Sequence, residues 1–212
     1  MDGPKLVGLV GKGYARASSK IGTSHSWYRG GLIAPIQAPN LRGTLHATFA
    51  PDRAFKQAPK FNTVLMYGFV DTTQVVAGDI LVGTHTYVML QEGLIPPTAL
   101  LCPQTVGVQR VSQTSSPTEG SYQTTTQIAQ GFPANIQIKR DKGFSEPVGF
   151  PAASNTSASM PDWTIYIPWL TDGAILNGDL ITDENSNTYK ADAVQFTPWG
   201  YVIAATPYQP DA

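Results

Sequence analysis

The sequence predicts a mainly β fold: a short N-terminal helix followed by two related small β-modules, each a barrel or sandwich. Three observations lead there. One ordered set of residues occurs twice. Met66-Tyr67, Gly78-Asp79-Ile80, Thr86-Tyr87 and Pro96-Pro97 are followed a hundred residues on by Ile165-Tyr166, Gly178-Asp179-Leu180, Thr188-Tyr189 and Pro198. The interval from the Asp to the next Tyr differs between the copies by two residues, which leaves the inward and outward faces of a strand pair unchanged. Helical periodicity is confined to one segment near the N-terminus. Elsewhere the chain offers short alternating runs between turn formers, with 20 Gly and 17 Pro.

The elements follow in order. Over residues 4–21, Leu6, Leu9, Val10, Ala17 and Ile21 fall near one face of a helix, with Lys5, Lys12, Arg16 and Lys20 spread elsewhere. Gly8, Gly11 and Gly13 weaken it, each by ~1 kcal/mol relative to Ala, so the helix needs a surface to rest on. Gly22 suits its C-cap. Residues 23–62 are rich in Pro and Gly and read as a long ordered loop carrying edge strands, the clearest at 44–50, where Leu45, Ala47 and Phe49 alternate with polar residues. Residues 63–70, 79–90 and 104–111 are strand candidates. Residues 112–126 are polar, with no aliphatic side chain, and read as a linker or exposed arm. Alternation resumes at 127–139. The run Trp163-Thr164-Ile165-Tyr166-Ile167 stops at Pro168. Residues 176–183 and 188–194 form a hairpin whose turn, Asp183 to Asn187, holds residues tolerant of left-handed backbone. Residues 200–205 close the module. The predicted domains are a helix or arm at 1–22, a first β-module at 23–111, a linker or arm at 112–126 and a second β-module at 127–212.

Composition narrows the function. Hydrophobic content is 42%, enough for a packed core, but only 14% of residues are charged. Gln, Thr, Ser and Asn take the place of charge, which suits a β protein built for contact with other subunits. A net charge of −1 argues against a protein that grips the phosphate backbone by charge neutralisation. The single cysteine, Cys102, excludes an intrachain disulfide and reads as a small buried hydrophobe. Residues 4–10 are apolar but too short for a secretory signal, and no stretch reaches the ~18 apolar residues of a membrane span. The expectation is a chain kept in the cytoplasm, with no membrane partner.

No catalytic, cofactor or metal site is predicted. Gly8 to Gly13 lacks the spacing of a phosphate-binding loop and its Ser/Thr. His25, His46 and His85 share no metal-ligand spacing. Ser24, His25 and Ser26 alternate along an extended chain, so neighbouring side chains diverge. Asp79 and Asp179 recur, yet Gly78-Asp79 and Gly178-Asp179 read as turns in which the carboxylate caps free backbone N–H groups. Asn155-Thr156-Ser157 matches a glycosylation acceptor and reads as plain loop. The aromatics lack the basic interleaving of a nucleic-acid stacking platform. Tyr67, Tyr87, Tyr166 and Tyr189 read as core, whereas Trp27-Tyr28-Arg29 is the candidate interface anchor, joined by Leu6, Leu9 and Val10 on the helix.

Several of these residues resemble a known group. Gly11-Lys12-Gly13-Tyr14-Ala15, then Ile21-Gly22-Thr23 and Trp27-Tyr28-Arg29, are similar to the opening of small proteins from tailed-bacteriophage structural gene clusters. There a helix precedes a Gly-Thr turn and a Tyr-Arg pair. Gly78-Asp79-Ile80-Leu81-Val82-Gly83 and Leu100-Leu101-Cys102 fit the same pattern. The closing Gly178 to Asp183, Tyr189 and Pro198-Trp199-Gly200-Tyr201 also resemble head-closure and stopper proteins. The chain departs in carrying Gly30 where a Pro often follows the Tyr-Arg pair. The resemblance implies a neck or collar subunit, a head-tail connector in the virion, assembled in the host bacterial cytoplasm. Copies would form a closed ring of sixfold or twelvefold symmetry, with a portal or adaptor protein on the head side and a tail terminator or tail tube protein on the tail side. Packaged DNA would pass without sequence-specific binding. The alternatives are another non-enzymatic virion part (tail terminator, decoration or baseplate module) or, in a different class, a two-barrel ligand-binding protein.

Overall fold

A computed structural model describes residues 3–51, 64–91, 96–116, 120–138, 163–168 and 174–209. Helix α1 spans Gly3–Ile21. Twelve strands follow among the described residues: β1 (Thr23–Tyr28), β2 (Leu41–Ala50), β3 (Leu65–Phe69), β4 (Ile80–Val82), β5 (Thr86–Gln91), β6 (Thr98–Leu101), β7 (Gln104–Ser116), β8 (Gly120–Ile138), β9 (Trp163–Pro168), β10 (Leu180–Asp183), β11 (Thr188–Thr197) and β12 (Gly200–Pro207). They close into two six-stranded barrels, the first ordered β1-β2-β3-β6-β5-β4 and the second β7-β8-β9-β12-β11-β10. Shifting every label by six converts one order into the other. The barrels therefore share one topology, and closure leaves neither sheet with an open edge.

The repeat extends to register. In barrel 1, Ile80, Leu81 and Val82 face Val88, Tyr87 and Thr86. In barrel 2, Leu180, Ile181 and Thr182 face Lys190, Tyr189 and Thr188. Period-two alternation sends Leu81, Tyr87 and Met89 inward, with Leu45, Ala47, Met66 and Ala99, to fill barrel 1. Ile165, Ile167, Ile181, Tyr189, Ala191, Tyr201 and Ile203 fill barrel 2. Each fully buried Ile or Leu contributes ~1.5–3 kcal/mol, so each module has a core of its own.

Two expectations are corrected. The strand at 104–111 belongs to the second barrel: Val106 to Gln109 pair with β10. The modules therefore meet between Leu101 and Gln104, where Pro103 interrupts the pairing, and not at 112–126. Of the two readings of 112–126, the arm holds and the linker does not. Arg110 to Ser116 and Gly120 to Thr126 pair with each other as the far end of the β7–β8 hairpin, forming an arm beyond the part of β7 that β10 covers. Ser112 and Gln123 to Thr126 are exposed, so no buried face imposes alternation on them, and Thr supplies the strand preference in its place.

Helix α1 lies on β2 and β3, through a face other than the apolar one. Gly11 and Ser18 are buried, and Tyr14 meets Phe69 with ring centroids 5.5 Å apart. Leu9 and Ile21 are 59% and 62% exposed. The reason is the closeness of the approach. A Cβ on Gly22 would lie 2.9 Å from the backbone N of Ala47, so only glycine lets the helix end meet β2. Gly22 is thus kept for contact and not for a left-handed cap. In the β10–β11 turn, Ser186 takes the left-handed conformation (φ 65°), while Asp183 accepts N–H bonds from Asn185 and Asn187, both at 2.9 Å.

A bulge joins the barrels. Between the pairs Val106↔Phe132 and Val108↔Ala129, β8 has two residues where β7 has one. Gly131 turns left-handed there (φ 59°). Gln130 is thereby freed from β7. Its C=O accepts from Ala34 N (2.7 Å) and its N–H donates to Leu32 O (3.2 Å), a parallel bridge to the segment after β1. Leu32 packs against the barrel 2 core. On the outer face of barrel 1, Ile80, Val88, Leu90, Leu100 and Cys102 are buried together with Tyr166 of barrel 2 against them. Asn135 Nδ2 donates to Leu101 O at 2.7 Å.

Candidate functional site

The recurring carboxylates are the best-defined polar sites in the described residues. In each barrel the first strand is paired so that an arginine follows the residue opposite the start of the fourth. Tyr28 faces Ile80 and Gln109 faces Leu180. Arg29 then meets Asp79, and Arg110 meets Asp179. Arg29 Nε and Nη2 reach the two oxygens of Asp79 at 2.6 and 2.7 Å. Arg110 makes the same fork on Asp179, both bonds at 2.8 Å. Two parallel bonds to a carboxylate are the geometry a guanidinium fits best.

The surroundings repeat as well. Asp79 Oδ2 accepts from Val76 N (2.9 Å), and Asp179 Oδ2 from Leu176 N (2.7 Å). The same Nη2 of each arginine also donates to a loop carbonyl, Gln74 O at 3.1 Å and Ala174 O at 2.8 Å. Gly78 and Gly178 carry φ of 89° and 90°, which a side chain would oppose. Their N–H groups donate to Met89 and Ala191. Asp79 and Asp179 are buried with 0% and 3% of their side chains exposed, so each carboxylate requires its cation. Its hydrogen bond to Asp179, countered by partial burial, holds the Arg110 guanidinium above its ordinary pKa. With every oxygen engaged, these carboxylates act as locks that fix the loop before the fourth strand to the first strand, at its end in barrel 1 and midway along it in barrel 2.

A shallow cleft of about 200 Å³ opens beside the first lock, lined by Arg29, Leu32, Val76, Asp79 and Phe132. It lies where the segment after β1 crosses to barrel 2. Its polar groups are those of the lock, already paired with each other.

The remaining candidates are placed as follows. Trp27 packs on the barrel 1 core, Tyr28 on the cluster between the barrels, and Arg29 lies over the Trp27 ring, 5.3 Å from its centroid, while holding Asp79. The trio is partly exposed. Leu9 is exposed and Val10 half-buried, and the side chain of Leu6 lies outside the described residues, as do Asn155 to Ser157. His25 is buried inside barrel 1, with Nδ1 2.9 Å from Thr23 O and its ring against Phe49 and Tyr87. A Cβ on Gly83 would lie 2.7 Å from that ring, so Gly83 makes the room it occupies. His46 is on the surface near Gly22 O, and His85 stands edge-on to Tyr87. Among the described residues no group of three His, Cys, Asp or Glu is placed to hold a metal. Burial pushes the Cys102 thiol well above its ordinary pKa.

Sequence reading missed Arg110. The signal was present: both Tyr28-Arg29 and Gln109-Arg110 place an arginine on or just after a β-run ahead of a later Gly-Asp. It was hidden because the partners are 50 residues apart in one copy and 69 in the other. No helix among the described residues is long and apolar enough to cross a membrane. The chain matches no family model, no curated protein and no solved structure.

Proposed function

We propose that this chain is a non-enzymatic structural subunit of a tailed-phage neck, forming a ring that joins the portal-capped head to the tail around the DNA channel. The observation that carries this reading is how the duplicated module spends its chemistry. The two recurring carboxylates, the residues best suited to acid–base work, are each closed by a bidentate arginine and a backbone N–H. What the molecule presents outward is of a different kind: a polar two-stranded arm from β7 and β8, the separate exposed side chains of Leu9 and Ile21 on α1, and aromatic residues at the β11–β12 turn. A ring subunit uses such features as contacts to its neighbours and to the proteins above and below it. The N-terminal Gly-Thr and Tyr-Arg motifs, and the Gly-Asp strands with a terminal aromatic strand, supply the phage assignment.

Disrupting the gene in a phage that carries it tests the proposal. The expected result is separate heads and tails, rejoined when the protein is supplied in trans. Fully joined, infectious particles without the protein would refute it.

A further inference from the structure

We infer that the β7–β8 arm is a docking hairpin that lies along the open edge of β2 in the next copy of this chain. The inference deepens the ring reading and rests on it, naming the contact by which one subunit holds the next. It starts from the duplication. Register makes Tyr28 the counterpart of Gln109, and Leu41 that of Gln127. The connection between the first and second strands of barrel 1, residues 29–40, therefore corresponds to the arm, residues 110–126 in barrel 2. Barrel 1 uses its connection to hold another barrel. Leu32 packs against the barrel 2 core, and the backbone of Leu32 and Ala34 hydrogen-bonds Gln130 on β8.

That contact runs one way, from the first connection of one barrel to the second strand of the other. Barrel 2 has the same connection, drawn out into a ribbon, and among the described residues no strand pairs with the ribbon from outside the hairpin. Barrel 1 has the same second strand. There β3 covers β2 only from Thr48 onward, so among the described residues that edge of β2 is open around Thr44, which is exposed. One chain thus holds an unused giver and an unused receiver of a contact it already makes once. Repeated from copy to copy, such a contact is heterologous and closes a ring or grows a filament.

The arm is built to accept a further strand. A lone two-stranded ribbon is marginal in water, and an exposed edge is normally guarded by charge, Pro or a bulge. Residues 111–116 and 120–127 contain no charged residue and no Pro, and their pairing runs unbroken from Arg110↔Thr126 to Ser116↔Gly120. Strand addition would satisfy the free backbone groups of the arm and of β2 together. Duplex DNA finds no Lys or Arg anywhere in 111–127. Pairing of one arm with another would leave β2 open. The apolar face that presses the two barrels together does not recur: Val88, Leu90 and Leu100 of barrel 1 correspond by register to Lys190, Asp192 and Thr206 of barrel 2. The contact between copies therefore rests on the arm, and copies separate while the two barrels of one chain stay joined.

Sedimentation velocity of the full chain, alone and with a portal protein, tests this. Replacing 112–124 by a two-residue turn should weaken self-association at least tenfold while circular dichroism stays native. A second experiment keeps the arm. Thr44→Cys mixed with Thr114→Cys and treated with a short bismaleimide should give cross-linked dimers that neither variant gives alone, and a chain carrying both changes should give longer covalent multimers. Cys102 is buried and stays out of the reaction. Wild-type assembly without the arm would overturn the docking contact. So would Thr114→Cys linking to itself and not to Thr44→Cys, which would set arm on arm, or loss of duplex DNA binding with assembly intact when the arm is shortened. Those outcomes leave the neck reading to the gene disruption; joined particles in that experiment would overturn the neck reading while the docking contact stood. A wild-type chain that stays monomeric alone and with the portal would overturn both.

Discussion

At Asp179 the carboxylate is nearly enclosed and its charge is met by Arg110, whose side chain is 29% exposed. Removing one partner strands the other. Arg110→Ala should destabilise barrel 2 by about 2–4 kcal/mol, the upper part of the usual range being trimmed by solvent at the guanidinium. Replacing both, as Arg110→Leu/Asp179→Leu, should recover most of that loss, as urea unfolding of the three variants against wild type would show. Gly178→Ala meets a different obstacle. At φ 90° a side chain costs about 1–2 kcal/mol, so the urea midpoint should fall although no contact is lost. Burial raises the pKa of Tyr87 in barrel 1. It does the same for Tyr189 in barrel 2, where nearby Asp183 adds to the effect. Below the ordinary tyrosine value of about 10 their contribution to stability is complete, and it is lost as pH climbs from there through the raised folded value. Stability measured by urea at rising alkaline pH should therefore fall, and Tyr189→Phe should flatten that fall for barrel 2. At this scale the sequence revealed Gly178-Asp179 as a turn with a capping carboxylate. It concealed the arginine, because a bidentate pair across dozens of residues leaves no local pattern.

Elements were more legible than their partners. The helix at 4–21 and the strands around Ile80, Ile165, Ile181 and Ile203 follow from periodicity, which is a property of one segment. Which face α1 buries depends on the barrel beneath it, and the close approach at Gly22 favoured small residues over leucine. At 112–126 the reading as a linker or exposed arm left two choices open: Ser112 and Gln123 to Thr126 are exposed and show no alternation, so the strand pairing that makes the segment an arm was not legible. These placements set expectations for two deletions. Removing residues 2–21 should leave both barrels folded, with near-ultraviolet circular dichroism retained. Loss of the tertiary signal would show that α1 is part of the barrel 1 core. Replacing 112–124 by a two-residue type I′ turn, which connects the paired Val111 and Thr125, should preserve barrel 2, because β10 pairs only with Val106 to Gln109.

The whole molecule is one barrel made twice, locked twice and joined by one bulge. The Gln130 bridge and the apolar cluster around Cys102 tie the barrels together, so native Cys102 should resist a thiol reagent until the chain unfolds. The recurrence of Gly78 and Gly178 and of Tyr87 and Tyr189 made the duplication readable, since equivalent turns and core positions demand similar residues; Tyr67 and Tyr166, read as core, recur half-buried outside the barrel interiors, because their neighbours Met66 and Ile165 point inward. The boundary was misplaced because β7 follows β6 after only two residues, too few for a change in composition. Assembly lies at this scale, and one measurement tests it most directly: the native mass of the purified chain, imaged by negative stain alone and on a portal protein. The account predicts a closed ring, free or seated on the portal. A strict monomer that ignores the portal would contradict it.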